Sequence, residues 1–143
     1  MSADDRALRH VLDLEQLRGL GQRYARAVDG RDHDALAELF TPDATIDGLR
    51  GSAPIAEYLE TVRATQPAFE TSMHVLGDPL IALEPGADAA ALDTYAVVYQ
   101  IGALAPGGTG MTLGIRYHDT VARVDDGWRI RRRRTELLWT KPA

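Results

Sequence analysis

Residues 111–140 read MTLGIRYHDTVARVDDGWRIRRRRTELLWT. Two long runs rich in β-branched and aromatic residues, Met111 to Val124 and Trp128 to Thr140, flank Asp125-Asp126-Gly127, a tight-turn signal that joins them as a β-hairpin. Working backwards, Ala90 to Leu104 forms another long strand containing Tyr95, Val97, Val98, Tyr99 and Ile101. The low-complexity segment Ala105 to Gly110 reads as the flexible loop between them. Thr71 to Leu83 is a further strand, interrupted near Gly77-Asp78-Pro79 because proline cannot donate to a sheet ladder.

Upstream of Glu70 the period changes. Leu14, Leu17, Gly21, Tyr24 and Val28 recur at helical spacing. Asp13 followed by Gln16 resembles a capping box, and Gly30 is placed to end the helix in a left-handed cap, which predicts a helix over Asp13 to Asp29. Asp32 caps a second, short helix through Phe40, with Leu36, Leu39 and Phe40 inward, and Thr41-Pro42-Asp43 breaks it. Ala44 to Gly48 reads as a short strand. Ser52 caps a third helix with Pro54 in its first turn and Ile55, Tyr58, Leu59 and Val62 on its apolar side. Helices followed by consecutive strands predict an α+β fold with an antiparallel sheet.

At 143 residues the chain suits one domain, 1–143, since halving it would leave neither part a useful core. A net charge of -5 argues against bulk binding of phosphate backbones, so nucleic acid is not an expected partner. The absence of cysteine excludes disulfides, thiolate nucleophiles and cysteine-ligated zinc. Met1 to Arg9 is polar, and no stretch approaches the ~20 apolar residues of a membrane span. A cytoplasmic protein with no membrane partner is expected. No set of His, Asp and Glu has metal-ligand spacing, so no metal is expected.

Three residues carry candidate chemistry. His74, in Ser72-Met73-His74-Val75-Leu76, reads either as a core or exposed histidine with an ordinary hydrogen bond, or as a general base. Asp29, at the C-terminal end of the first helix, faces the negative end of the helix dipole; it reads as a solvated end residue, or as one compensated by a partner such as a histidine. Tyr24 reads as a core tyrosine, or as a donor to a substrate carbonyl. Tyr24 and Asp29 lie about 140° apart around an ideal helix and converge only if the helix end turns in at Gly30. His118, alternating with Arg116 and Thr120, belongs to the polar strand face; Arg129 to Arg134 splits between two faces and reads as a solvent or interface ladder. Gly107-Gly108-Thr109-Gly110 lacks the lysine and helix of a phosphate loop.

The segments Tyr24 to Leu36, Phe40 to Ala44, Met73 to Gly77 and Asp126 to Ile130 resemble the SnoaL-like branch of the nuclear transport factor 2-like superfamily, over roughly Leu14 to Trp139. In motif they are most similar to scytalone dehydratase and bile-acid 7-alpha-dehydratase. The resemblance implies a cone-shaped fold, three N-terminal helices on a strongly curved antiparallel sheet enclosing an apolar pocket. It also implies catalytic roles for Tyr24, Asp29 and His74. Val28 stands where scytalone dehydratase has a tyrosine, and Tyr99 or Gln100 stands where both relatives have a further polar residue.

Together these readings predict a cofactor-independent acid–base enzyme for a small hydrophobic cyclic carbonyl compound, a dehydratase in the first instance. The alternatives are an isomerase or polyketide-type cyclase with the same site, or a non-catalytic small-molecule-binding domain. No cofactor is expected, because the carbonyl is its own electron sink. Tyr58, Val62, Leu76, Val97, Tyr99, Gln100 and Met111 are the expected substrate-binding residues. A homodimer or homotrimer through the outer sheet face is also expected.

Overall fold

The computed structural model describes residues 1–102, 108–125 and 127–142. The first helix, α1 (Ala3–Asp29), begins ten residues before the expected start. Its N-cap is Ser2: the hydroxyl accepts from the Asp5 amide while the Asp5 carboxylate accepts from the Ser2 amide, a complete capping box. Asp13 is not a cap. It sits inside α1, 1% exposed, where Arg123 donates to both of its oxygens at 2.8 Å and the Trp128 indole donates at 3.2 Å. The Arg123 guanidinium also lies over the Trp128 ring, 4.5 Å from its centroid.

The end of α1 departs from expectation in a way that matters for the site. Gly30 keeps a right-handed backbone (φ −77°), and Arg31 takes the left-handed one (φ 56°). The Arg31 amide donates to Val28 O (3.2 Å) and the Asp32 amide to Ala27 O (2.9 Å), the paired bonds of a Schellman ending. Asp32 then accepts from the Ala35 amide and so starts α2 (His33–Glu38). A Cβ at Gly30 would lie 2.8 Å from Arg26 O, so it is space rather than φ that favours glycine there.

Helix α2 ends at Glu38 rather than Phe40, and strand β1 (Phe40–Gly48) starts before Thr41-Pro42-Asp43, which forms an irregular stretch within it. Thr45 to Gly48 pairs back with β2 (Gly51–Pro54), a strand the sequence reading did not contain. Ser52 therefore does not cap α3 (Ile55–Thr65); Pro54 occupies the N-cap, and the Ser52 hydroxyl donates to Asp47. A 3-10 turn, Gln66–Ala68, leads into β3 (Thr71–Leu76) and β4 (Leu80–Ala82), separated at the expected Gly77-Asp78-Pro79. Then come β5 (Ala89–Ile101), β6 (Gly110–Val124) and β7 (Gly127–Pro142). The expected loop at 105–107 and the Asp126 position of the hairpin lie outside the described residues.

The sheet runs β2-β1-β7-β6-β5-β3, with β4 also on β5. Its pairings are antiparallel except β1 with β7, which is parallel, so the sheet is mixed rather than wholly antiparallel. The architecture is otherwise the expected α+β cone, with α1 across the concave face of a curved sheet. Its core joins Leu17, Leu20 and Val28 of α1 to Val98, Leu113, Ile115, Val121 and Ile130 of the sheet. At Gly21 a Cβ would come within 2.9 Å of Leu76 Cδ2, so α1 and β3 approach too closely there for any larger residue without displacement.

The Asp13 cluster ties the N-terminal half of α1 to the β6–β7 hairpin. Its Arg123 hydrogen bonds hold the Asp13 carboxyl below the ordinary 3.8, against the upward push of burial. A depressed acid stabilises the fold above its unfolded-state value and loses that contribution as pH falls through the folded value. Asp13→Ala should therefore cost about 2–3 kcal/mol at pH 7, because it removes the partner of Trp128 and the main partner of Arg123, which keeps only Asp88 and Ala87 O. In urea unfolding, the gap between wild type and variant should narrow as pH is lowered below 3.8.

Candidate active site

The Schellman ending leaves Asp29 as the last helical residue, beside β3. Strand alternation turns Ser72, His74 and Leu76 toward α1 and exposes Thr71, Met73 and Val75. Asp29 Oδ2 accepts from the His74 backbone amide at 2.7 Å. Asp29 Oδ1 lies 2.7 Å from His74 Nδ1 and accepts from the Ser72 hydroxyl at 3.0 Å. Burial pushes the Asp29 carboxyl up, but the His74 side chain, the His74 amide and Ser72 together hold it below 3.8. An ionised carboxylate only accepts, so Nδ1 carries the proton and the free lone pair of the imidazole belongs to Nε2.

His74 lines a cavity of about 350 Å3, a size typical of small-molecule sites. Its inner wall is Tyr24, Val28, Ile46, Val98, Leu113, Ile115 and Tyr117. The Tyr24 and Tyr58 hydroxyls are 3.1 Å apart, and the Tyr24 ring packs edge-on against His74 and against Tyr117, each at 5.8 Å. Burial raises the phenols of Tyr58 and Tyr117 well above 10, so both are neutral donors near pH 7. The structure thus brings Tyr24 and His74 to one cavity, with Asp29 behind the imidazole.

Of the expected substrate-binding residues, Tyr58, Val62 and Gln100 line the cavity. Val97 and Tyr99 do not, because they alternate with the inward Val98 and Gln100 and occupy the outer face of β5. Leu76 packs between α1 and the sheet instead, against Gly21. Met111, one pleat beyond Leu113, is 42% exposed and is not part of the lining. At the uncertain central-strand position the inward residue is therefore Gln100.

Arg133 escaped the sequence reading, which split the Arg129 to Arg134 run between two strand faces and took it as a solvent or interface ladder. Its guanidinium is 2% exposed, makes two 2.8 Å bonds to Asp119, and lies 4.1 and 3.9 Å from the centroids of Tyr24 and Tyr117. Burial alone would lower its pKa, but Asp119 outweighs that and keeps it charged. A bulge explains the miss. Ile130 pairs with Val121 and Arg132 with Thr120, so Arg131 is an extra residue that reverses the alternation and turns Arg133 inward. His118, as expected, is on the outer face, where its Nε2 lies 2.8 Å from Glu136. Among the described residues no group of His, Asp and Glu is clustered to hold a metal ion.

A SnoaL-like domain profile matches residues 9–134, most of the chain. The chain belongs to the SnoaL-like family. That places it in the nuclear transport factor 2-like superfamily, in agreement with the cone-shaped fold. A provisionally assigned scytalone dehydratase from Novosphingobium aromaticivorans superposes with a TM-score of 0.85 at 18% identity, covering 96% of this chain and 91% of that one. A hexachlorocyclohexane dehydrochlorinase, LinA type 3 from Novosphingobium barchaimii, gives 0.80 at 16% identity, covering 96% and 94%. An uncharacterised protein of Mycobacterium tuberculosis is 28% identical over 138 residues, covering 90% of each chain. This SnoaL-like chain contains no helix, among its described residues, long and apolar enough to cross a membrane.

The Asp29–His74 bond should give a low-field Nδ1–H proton signal in NMR spectra. Asp29→Ala should abolish that signal and Ser72→Ala should retain it, since Ser72 supports the carboxylate without touching the ring.

Proposed function

We propose that this SnoaL-like protein is a cofactor-independent lyase that eliminates water from a small, largely apolar cyclic carbonyl compound. The observation that carries the reading is the Asp29–His74 pair, with its ring at the wall of an apolar cavity. A pocket used only for binding has no need of an ionised carboxylate held in place by three donors behind an imidazole. The structural likeness to proteins named as a scytalone dehydratase and a dehydrochlorinase supports an elimination, since both names denote loss of a small molecule from the substrate.

His74 Nε2 removes a proton from carbon next to the carbonyl, and the C–H electron pair moves into the developing enolate. Asp29 stabilises the imidazolium formed in that step and keeps its orientation. Tyr24 donates to the carbonyl oxygen; its own oxygen can accept from Tyr58, which strengthens the donor. When the enolate collapses, the C–O bond on the β carbon breaks. The imidazolium returns its proton to the departing hydroxyl, so water leaves and His74 is neutral again. A substrate without a leaving group would instead be reprotonated elsewhere, giving isomerisation by the same residues.

A screen of cyclic β-hydroxy ketones for water loss identifies a working substrate. With it, His74→Ala should lower turnover by ~100-fold or more while circular dichroism stays native. Asp29→Asn should also lose most activity, and Tyr24→Phe should cost less than either. Unchanged turnover in His74→Ala would overturn the acid–base reading.

A further inference from the structure

The cavity is graded from floor to rim. Tyr24, Val28, Ile46, Val98, Leu113, Ile115 and Tyr117 are buried, whereas Arg31, Leu49, Arg50 and Glu57 at the outer end are exposed. Among the charged lining residues, two arginines stand against one acid, Glu57. Among the described residues neither Arg31 nor Arg50 has a carboxylate within ion-pair distance. The nearby Asp47 is engaged by Ser52 and Arg132, and Asp29 by His74 and Ser72.

Arg31 is the informative member. It occupies the left-handed position of the Schellman ending, where a side chain is strained and glycine is the ordinary occupant. Its Nη2 donates to Phe69 O at 2.7 Å and to Gln66 O at 3.3 Å. Those carbonyls hold the guanidinium in place but do not neutralise it. The result is a preorganised cation at the rim of a cavity that Arg50 of the β1–β2 turn also lines, and among the described residues Arg31 Nε and Nη1 make no hydrogen bond. A fixed guanidinium is suited to a planar oxyanion, which it can engage through two donors at once.

We propose that the substrate carries an anionic group, a carboxylate in the simplest case, which docks on Arg31 and Arg50 while its apolar ring reaches His74. This inference rests on the reading of the cavity as the substrate site and narrows the substrate class to ring compounds with an acidic tail. The handle lies at the rim, away from the carbon that loses its proton, so it orients the ring without placing negative charge beside the developing enolate.

The test compares 2-naphthoate with its neutral isostere 2-naphthamide, by NMR titration of the His74 ring signals. Both should shift those signals, and naphthoate should bind at least ~10-fold tighter at low salt, the worth of one good charge-assisted contact. Added salt should erode the naphthoate affinity alone. Arg31→Met and Arg50→Met should each reduce the preference, and the double variant should abolish it with naphthamide affinity unchanged. Arg50 has no tethering role, so its variant stays informative if Arg31→Met disturbs the 66–69 segment. If both ligands shift His74 but naphthoate binds no better than naphthamide, or the double variant keeps the preference, the anionic handle is wrong and the cavity reading stands. If neither ligand shifts His74, the cavity reading fails and the handle with it.

Discussion

A carboxylate in the last turn of a helix faces the negative end of the helix dipole and, once partly buried, loses water as well. Asp29 is held there because β3 presents three donors to it: the His74 amide, the His74 ring and the Ser72 hydroxyl. That single constraint fixes much else. It sets the distance between α1 and β3, it defines the histidine tautomer, and it requires the chain to turn at Arg31 rather than run on into solvent. The same turn makes Asp32 the cap of α2 and brings the Arg31 side chain back over Gln66 and Phe69.

Two buried ion pairs keep α1 in the position this requires. Near its N-terminal half, Asp13 holds Arg123 and Trp128 of the β6–β7 hairpin. Beneath its C-terminal half, Arg133 lies against the faces of both Tyr24 and Tyr117 and pairs with Asp119. Buried pairs of this kind return little net stability against hydrophobic replacements, because desolvating both charges is costly. Their directional bonds do restrict how a helix can sit on a sheet. The Arg133 pair lies against Tyr24 and Tyr117 of the cavity wall, and that restriction helps keep the Tyr24 hydroxyl beside Tyr58 and the Tyr24 ring against His74.

The cavity itself follows from sheet curvature and from alternation. Inward residues of β5 and β6 are apolar near the floor, while the β1–β2 turn and the end of α1 contribute charge at the rim. In the proposed reading, catalysis and recognition separate along one axis: proton transfer would be sheltered among aromatic groups, where each electrostatic contact is stronger, and charge recognition would take place at the solvated rim.

The order of elements, the helical stripe of α1 and the long strands β5 to β7 were determined by the sequence itself, because hydrophobic period and turn chemistry are local properties. Tyr24, Asp29 and His74 were legible as candidates because Tyr24 lies on the apolar stripe of α1, Asp29 opposes the helix dipole, His74 is flanked by apolar residues, and the family resemblance picks out all three. What only the tertiary structure decided are the features that depend on partners distant in sequence. Asp13 looked like a helix cap because local reading cannot see Arg123, 110 residues away. Arg133 looked solvated because one bulged residue, Arg131, shifts the alternation by a position, and no local pattern marks it. Val97 and Tyr99 were expected in the lining beside Gln100, but strand alternation puts Val98 and Gln100 there, by the same uncertainty of strand face. The parallel β1–β7 pair and the left-handed Arg31 belong to this class as well, since pairing partners and backbone strain are settled by long-range packing rather than by the residues that bear them.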